Sequence, residues 1–180
     1  MKKCVVLMLA LLLGTTSGFA QNRKADKYAA VELPHKVENL ELVDLNGNAA
    51  TLPMWGEKNL LIFYVDPDKH SQNNEFIVEM EEKHLAAGDN IYGLGILNLR
   101  DTWLPNNIVS SMARKRTEKN GATIIADKGR FVSEKWGLGD CNNKFVLLLV
   151  SKEGELIFCR KGEFTEEDKK EFFEAIEPYR

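Results

Sequence analysis

The stretch that most constrains this chain is Leu60–Asn74, LLIFYVDPDKHSQNN. It opens on an unbroken apolar run, Leu60 to Val65, of strand length and rich in strand-forming residues. A strand apolar on both sides must be covered on both faces, so a layer is needed above it and another below. Pro67 ends the run, because it has no N–H to give a sheet. Polar residues follow, among which Asp68 or Ser71 is placed to cap a helix. That helix would turn Phe76, Ile77, Met80 and His84 inward and Glu79, Glu81 and Lys83 outward, and stop near Gly88. In α/β proteins ligands gather in the crevice outside the carboxyl ends of such strands. Asp66, Asp68, Lys69, His70, Ser71 and Gln72 are therefore the first candidates for a functional surface.

The remaining elements arrange themselves around this unit. Val37–Leu52 alternates apolar and polar residues about an Asn46-Gly47 turn, the pattern of a β-hairpin. Asn90–Leu99 reads as a second strand, in which Gly93 and Gly95 permit close packing. A loop with Trp103 and Pro105 leads to a helix over Ile108–Lys119, with Ile108, Val109 and Met112 expected inward. Ala122–Ala126 is a short strand, and Arg130–Leu138 a short helix bearing Phe131, Val132 and Trp136. Lys144–Ser151 and Glu155–Arg160 form a hairpin about Lys152-Glu153-Gly154. Thr165 and Asp168 stand in a capping box ahead of a last helix with Phe172, Phe173, Ile176 and Tyr179 on its apolar side. The order demands a mixed sheet with helices on both faces.

Residues 1–20 read as a secretory signal: Lys2 and Lys3, an apolar run from Cys4 to Leu13, then Ser17-Gly18-Phe19-Ala20 with small residues at the cut. The run is too short for a retained membrane anchor. Its removal takes the formal charge from -3 to -5, since Lys2 and Lys3 leave with it. Such a balance does not suit nucleic acid. Residues 21–36 are polar and read as a loose lead into one domain, residues 37–180.

Three stretches resemble the redoxin branch of thioredoxin-like proteins. ENLELVDLNGNAATLPMW looks like their leading hairpin, LLIFYVDPDKHSQNNEF falls where they carry strand, active site and helix, and KFVLLLVSKEGELIFCRKGEFTEEDKKEFFEAI looks like their last hairpin and helix. With LNLRDTWLP and ATIIADKGRFVSEKWGL added, the chain is similar to the YtfJ-type family of small exported proteins of unknown function. The resemblance implies a thioredoxin-like three-layer α/β/α sandwich with an N-terminal β-hairpin and a mixed central sheet. It also implies a periplasmic location.

Thioredoxins place two cysteines, C-x-x-C, at the start of the helix, where its dipole and N–H groups favour a thiolate. The matching positions here fall near Lys69 and Gln72, and neither is cysteine. The family's proline before the penultimate strand is also missing, as the chain reads Asp140-Cys141-Asn142-Asn143-Lys144-Phe145. Without proline a cis bond costs about 3 kcal/mol, so trans geometry is expected.

Beyond the signal the cysteines are Cys141 and Cys159. Cys141 is the weak candidate for catalysis, since its loop should face the same pole. With the hairpin turn near Glu153, Cys159 pairs near Leu147 or Leu148, and Cys141 lies about 20 Å further along an extended chain, beyond bridging distance unless the loop folds back. Asp66, Asp68 and His70 could hold a divalent metal with His35 or Asp140, but the spacing matches no metal motif and a solvated loop explains it. No metal and no cofactor are expected. Arg114, Lys115, Arg116 and Lys119 read as a solvated face at a helix end. Trp103 is either a cover for the core edge or an exposed binding anchor, and cover is the commoner fate of tryptophan. The expected function is a non-catalytic exported protein that binds an unknown protein or small molecule through Asp66, Asp68, Lys69, His70, Ser71, Gln72, Trp103 and Asn142. The rival expectation is an atypical thiol-disulfide oxidoreductase or redoxin acting through Cys141.

Overall fold

The structure, a computed structural model, describes residues 31–180. The expected signal and the first part of the expected loose segment lie outside the described residues. Along the chain run β1 (His35–Lys36), β2 (Leu42–Val43), β3 (Ala49–Ala50), β4 (Asn59–Val65), α1 (Asn74–Glu82), β5 (Ile91–Asn98), α2 (Asn106–Asn120), β6 (Ile124–Asp127), α3 (Phe131–Lys135), β7 (Phe145–Val150), β8 (Glu155–Lys161) and α4 (Glu166–Ile176). The strands form one mixed sheet in the order β1-β8-β7-β4-β5-β6-β2-β3. β4 is central. It runs parallel to β5 and antiparallel to β7, with Phe63 opposite Gly95 on one side and Leu147 on the other.

Alternation along β4 separates two cores. Leu60, Ile62 and Tyr64 face one side, where Leu40, Leu42 and Leu52 of the N-terminal hairpin region and Val132, Trp136 and Leu138 around α3 cover them. Leu61 faces the other, packed with Phe76, Ile77 and Met80 of α1 and Phe172 and Ile176 of α4. Five aromatic rings meet edge to face there: Phe76 packs on Phe164, Phe172 and Phe173, and Phe145 on Phe164, at centroid distances of 5.9–6.2 Å. Burial of this much apolar surface on both faces is why a run like LLIFYV must be central. The three-layer α/β/α arrangement with an N-terminal hairpin is as expected.

The N-terminal hairpin turns at Asn46-Gly47, with Gly47 at φ 91° and the Asp44 carboxylate accepting from the N–H groups of Asn46 and Asn48. At the other end the capping box of α4 is complete: the Thr165 hydroxyl accepts from the Asp168 N–H, and the Asp168 carboxylate accepts from the Thr165 N–H. Thr165→Ala is therefore expected to cost about 1 kcal/mol in urea unfolding, with an unchanged slope.

Four details depart from expectation. His35 and Lys36 are not loose: they pair with Leu156 and Glu155, and β1 so covers the outer edge of β8. Neither Asp68 nor Ser71 caps α1. Asp66 instead caps a 3-10 turn at Pro67–Lys69, and α1 begins after Asn73, whose left-handed backbone (φ 63°) reorients the chain. α1 also ends early, at Glu82. His84 then turns left-handed (φ 52°) and is exposed rather than packed. Finally, α2 buries Val109 against Leu99 and Ala126 but leaves Ile108 48 % and Met112 55 % exposed. The helix sits toward the β6 side of the sheet, and an open groove separates it from α1.

Candidate functional site

Three loops meet at the carboxyl ends of β4 and β5: residues 66–73, 99–105 and 137–144. Asp66 joins two of them. Its backbone N–H extends the β4–β7 ladder to the Lys144 carbonyl at 3.1 Å. Its side chain is fully buried and accepts from the Asp68 N–H at 3.0 Å and the Asn143 N–H at 2.7 Å. Burial raises the Asp66 carboxyl above its ordinary range, against the pull of those two N–H donors. Asp68 joins the third loop, accepting from the Thr102 hydroxyl at 3.0 Å and the Trp103 N–H at 3.2 Å. Gln72 accepts from the Phe145 N–H at 2.9 Å, and Asn73 ties the start of α1 to Gly162 and Phe164.

The expected surface residues thus divide into two groups. Asp66, Asp68 and Gln72 face inward and brace the loops. His70, Ser71 and Asn142 are exposed, and Lys69 is half-buried. The His70 ring rests against the Pro67 carbonyl at 3.0 Å. Trp103 is 80 % exposed, so it does not cover the core edge. It stands on the loop that Asp68 holds. Where a redoxin would carry its proline, Asn143 takes a left-handed conformation (φ 54°), and the peptide bonds there are trans.

Cys141 does not face this surface. It is 2 % exposed, its thiol donates to the Gly139 carbonyl at 3.6 Å, and it belongs to the same core cluster as Tyr64 and Cys159. Burial pushes the thiol up to about 12, and the nearby Cys159 adds to that. The loop therefore folds back toward β8, and the extended-chain separation of about 20 Å overstates the distance. Cys159 pairs with Leu148, as expected, and is likewise buried, its thiol pushed up to about 11. Both thiols are free. A buried thiol at such values supplies almost no thiolate, the form that attacks disulfides and peroxides.

The candidate metal ligands are not brought together. His35 lies against the carbonyls of Glu32 and Trp136, and the oxygens of Asp66 and Asp68 are occupied by backbone and hydroxyl donors. Among the described residues no group of three or more His, Cys, Asp or Glu side chains is placed to share a metal ion.

Two polar clusters escaped the sequence reading. Asp127, fully buried, accepts from the N–H groups of Gly129, Phe131 and Val132 and from the Tyr64 hydroxyl at 3.2 Å, and so starts α3. Nothing local in Asp127-Lys128-Gly129 announces the role of this carboxylate toward Tyr64, which lies 63 positions away. Asp101 links the buried Asn98 to Arg130, whose Nε donates at 2.6 Å. Two basic residues of α2 have partners: Arg114 donates to the Leu45 carbonyl at 2.7 Å, and Arg116 pairs with Glu81 of α1 at 3.5 Å. No helix among the described residues is long and apolar enough to cross a membrane.

No protein-family model matches the chain, and no curated protein matches it in sequence. Solved structures do match. One is the C-terminal domain of a protein described as a thiol-disulfide oxidoreductase from Bacteroides thetaiotaomicron, 21% identical, covering 83% of this chain and 99% of that one at a TM-score of 0.56. Another is the exposed lipoprotein thioredoxin of Streptococcus pneumoniae, 14% identical, covering 76% and 98% at 0.53. A third is a peroxiredoxin-like protein from Aquifex aeolicus, 9% identical, covering 82% and 89% at 0.55. The fold is thioredoxin-like.

Proposed function

We propose that this chain is an exported, YtfJ-type thioredoxin-like protein that binds a partner at the pole that corresponds to the C-x-x-C position of thioredoxins, and that it does no thiol chemistry there. The observation that carries this reading is Trp103. A large aromatic side chain 80 % exposed, on a loop fixed from below by Asp68, is poor economy for a stability element and well suited to a binding anchor. Lys69, His70, Ser71 and Asn142 supply polar groups around it. Asp66, Asp68 and Gln72 hold the loops still, which lowers the ordering cost of binding. The partner is a protein or a small molecule in the periplasm rather than nucleic acid, given the acidic charge balance.

The test is chemical cross-linking of the intact mature protein in the exported fraction, comparing wild type with Trp103→Ala. The variant should melt within about 0.5 kcal/mol of wild type, because the side chain is solvated. It should lose the cross-linked species. Equal cross-linking by both proteins would contradict the reading.

A further inference from the structure

We infer that the groove between α1 and α2 binds an acyl chain that carries a carboxylate. The groove encloses about 600 Å³, within the usual range for small-molecule sites. Its floor is the α1–α2 side of β4 and β5, where Phe63 lies opposite Gly95 and Val65 opposite Leu97, with Gly93 one step further along β5. An added Cβ on Gly93 would meet nothing within 4 Å, so the floor is deepened at a position where the strand would tolerate a larger residue. Glycine in a strand interior often marks the close approach of a ligand. The walls are Ile77 and Met80 of α1 and Val109 and Met112 of α2. The sequence spacing turns Met112 inward, and in the structure it lines this wall while 55 % exposed.

The chemistry of the lining selects the occupant. β4 is paired on both sides, by β5 and β7, and β5 by β4 and β6, so the floor offers no free edge to a peptide. An extended peptide laid there would bury its own N–H and C=O groups unmatched. An acyl chain has no such groups. Polar side chains gather at the ends of the groove. At the end away from the pole stand Arg116 and His84, with Glu81 as the carboxylate beside them. Arg116 spans the opening to Glu81 at 3.5 Å, both side chains about half exposed, a loose pair that an entering carboxylate can replace. The acyl tail lies over Gly93 and Gly95, and the head group meets Arg116.

This inference rests on the reading of the chain as a binding protein, but uses a site beside the pole. Titration calorimetry of the intact mature protein with dodecanoate, below its micelle concentration, tests it. Wild type should bind one dodecanoate saturably. Gly93→Leu, which fills the floor, should weaken binding about tenfold or more. Met112→Glu, which sets a like charge against the carboxylate and a polar group against the tail, provides a second obstruction should Gly93→Leu fail to give a native circular dichroism spectrum. Arg116→Gln should weaken dodecanoate about threefold and leave dodecanol unchanged. Glu81→Gln should tighten dodecanoate. Absence of saturable binding, or binding that the obstructing variants leave intact, would overturn the site, and equal loss of dodecanoate and dodecanol in Arg116→Gln would overturn the placement of the head group. Failure here leaves the Trp103 cross-linking result untouched, and loss of cross-linking leaves dodecanoate binding untouched.

Discussion

At pH 8, iodoacetamide is expected to alkylate Cys141 in the folded protein about a thousandfold more slowly than in the urea-unfolded chain. The thiol stands at about 12 when folded, against 9.0 without the fold, and thiolate population falls tenfold for each unit. Burial is the main cause, so the same shielding also limits reagent access. The shift has a consequence for stability. Because the folded value is the higher one, the contribution of Cys141 is fully present below pH 9.0 and is lost as pH rises toward about 12. Cys159, at about 11, acts in the same direction. Urea unfolding across alkaline pH should therefore show stability falling above about pH 9, and the part of the fall between about pH 9 and 10 should shrink when both cysteines are replaced by alanine; above that the buried Tyr64 phenol, also raised by burial, adds a fall of the same sign. Mass spectrometry after timed alkylation reads the first effect. Rapid modification of Cys141 in the native protein would place the thiol at the surface and contradict the account of its loop.

Asp66→Ala is expected to destabilise the protein by about 2–3 kcal/mol and to loosen the pole. Two backbone donors, the N–H groups of Asp68 and Asn143, lose their acceptor, and each unpaired, partly buried donor costs about 1–3 kcal/mol. Part of that cost is offset, because burying the Asp66 carboxylate is itself unfavourable, as its raised carboxyl shows. Asp66→Asn retains one acceptor oxygen and turns an amide NH₂ toward the other donor, so its cost should fall between wild type and alanine. The sign of the pH effect follows from the raised value. Wild type's advantage over Asp66→Asn should be largest below the ordinary carboxylate range and should shrink as pH rises through the raised value. Amide hydrogen exchange of Asp68 and Asn143 measures the loosening, and unchanged protection in Asp66→Ala would show that the carboxylate does not brace the loops.

What the sequence could disclose depended on how local the cause was. β4 was legible because a continuous apolar run has one way to be buried. The box at Thr165 and Asp168 and the turn at Asn46-Gly47 were legible because each is closed within four residues. The braces of the pole were not. Asp66 meets Asn143 across 77 positions and Gln72 meets Phe145 across 73, and neither pairing leaves a periodic trace. The same residue types that suggested a solvated ligand set were in fact acceptors for distant backbone. Trp103 illustrates a second limit: a tryptophan in a loop is compatible with cover or display, and the loop's anchor at Asp68 decides between them. His35 and Lys36 illustrate a third. A polar dipeptide carries no strand signal, and it becomes a strand because the edge of β8 offers unpaired backbone. The helical spacing of Ile108, Val109 and Met112 correctly indicated an apolar stripe but not its partner, since only Val109 reaches the sheet.

The pole's exposed tryptophan, its inward-facing carboxylates and the withdrawal of Cys141 into the core together support binding without thiol exchange. Insulin disulfide reduction by the protein, with dithiothreitol as electron donor, tests that most directly when wild type and Cys141→Ser are run side by side. Both are expected to proceed at the rate of dithiothreitol alone. Turnover by wild type that disappears in Cys141→Ser would contradict it.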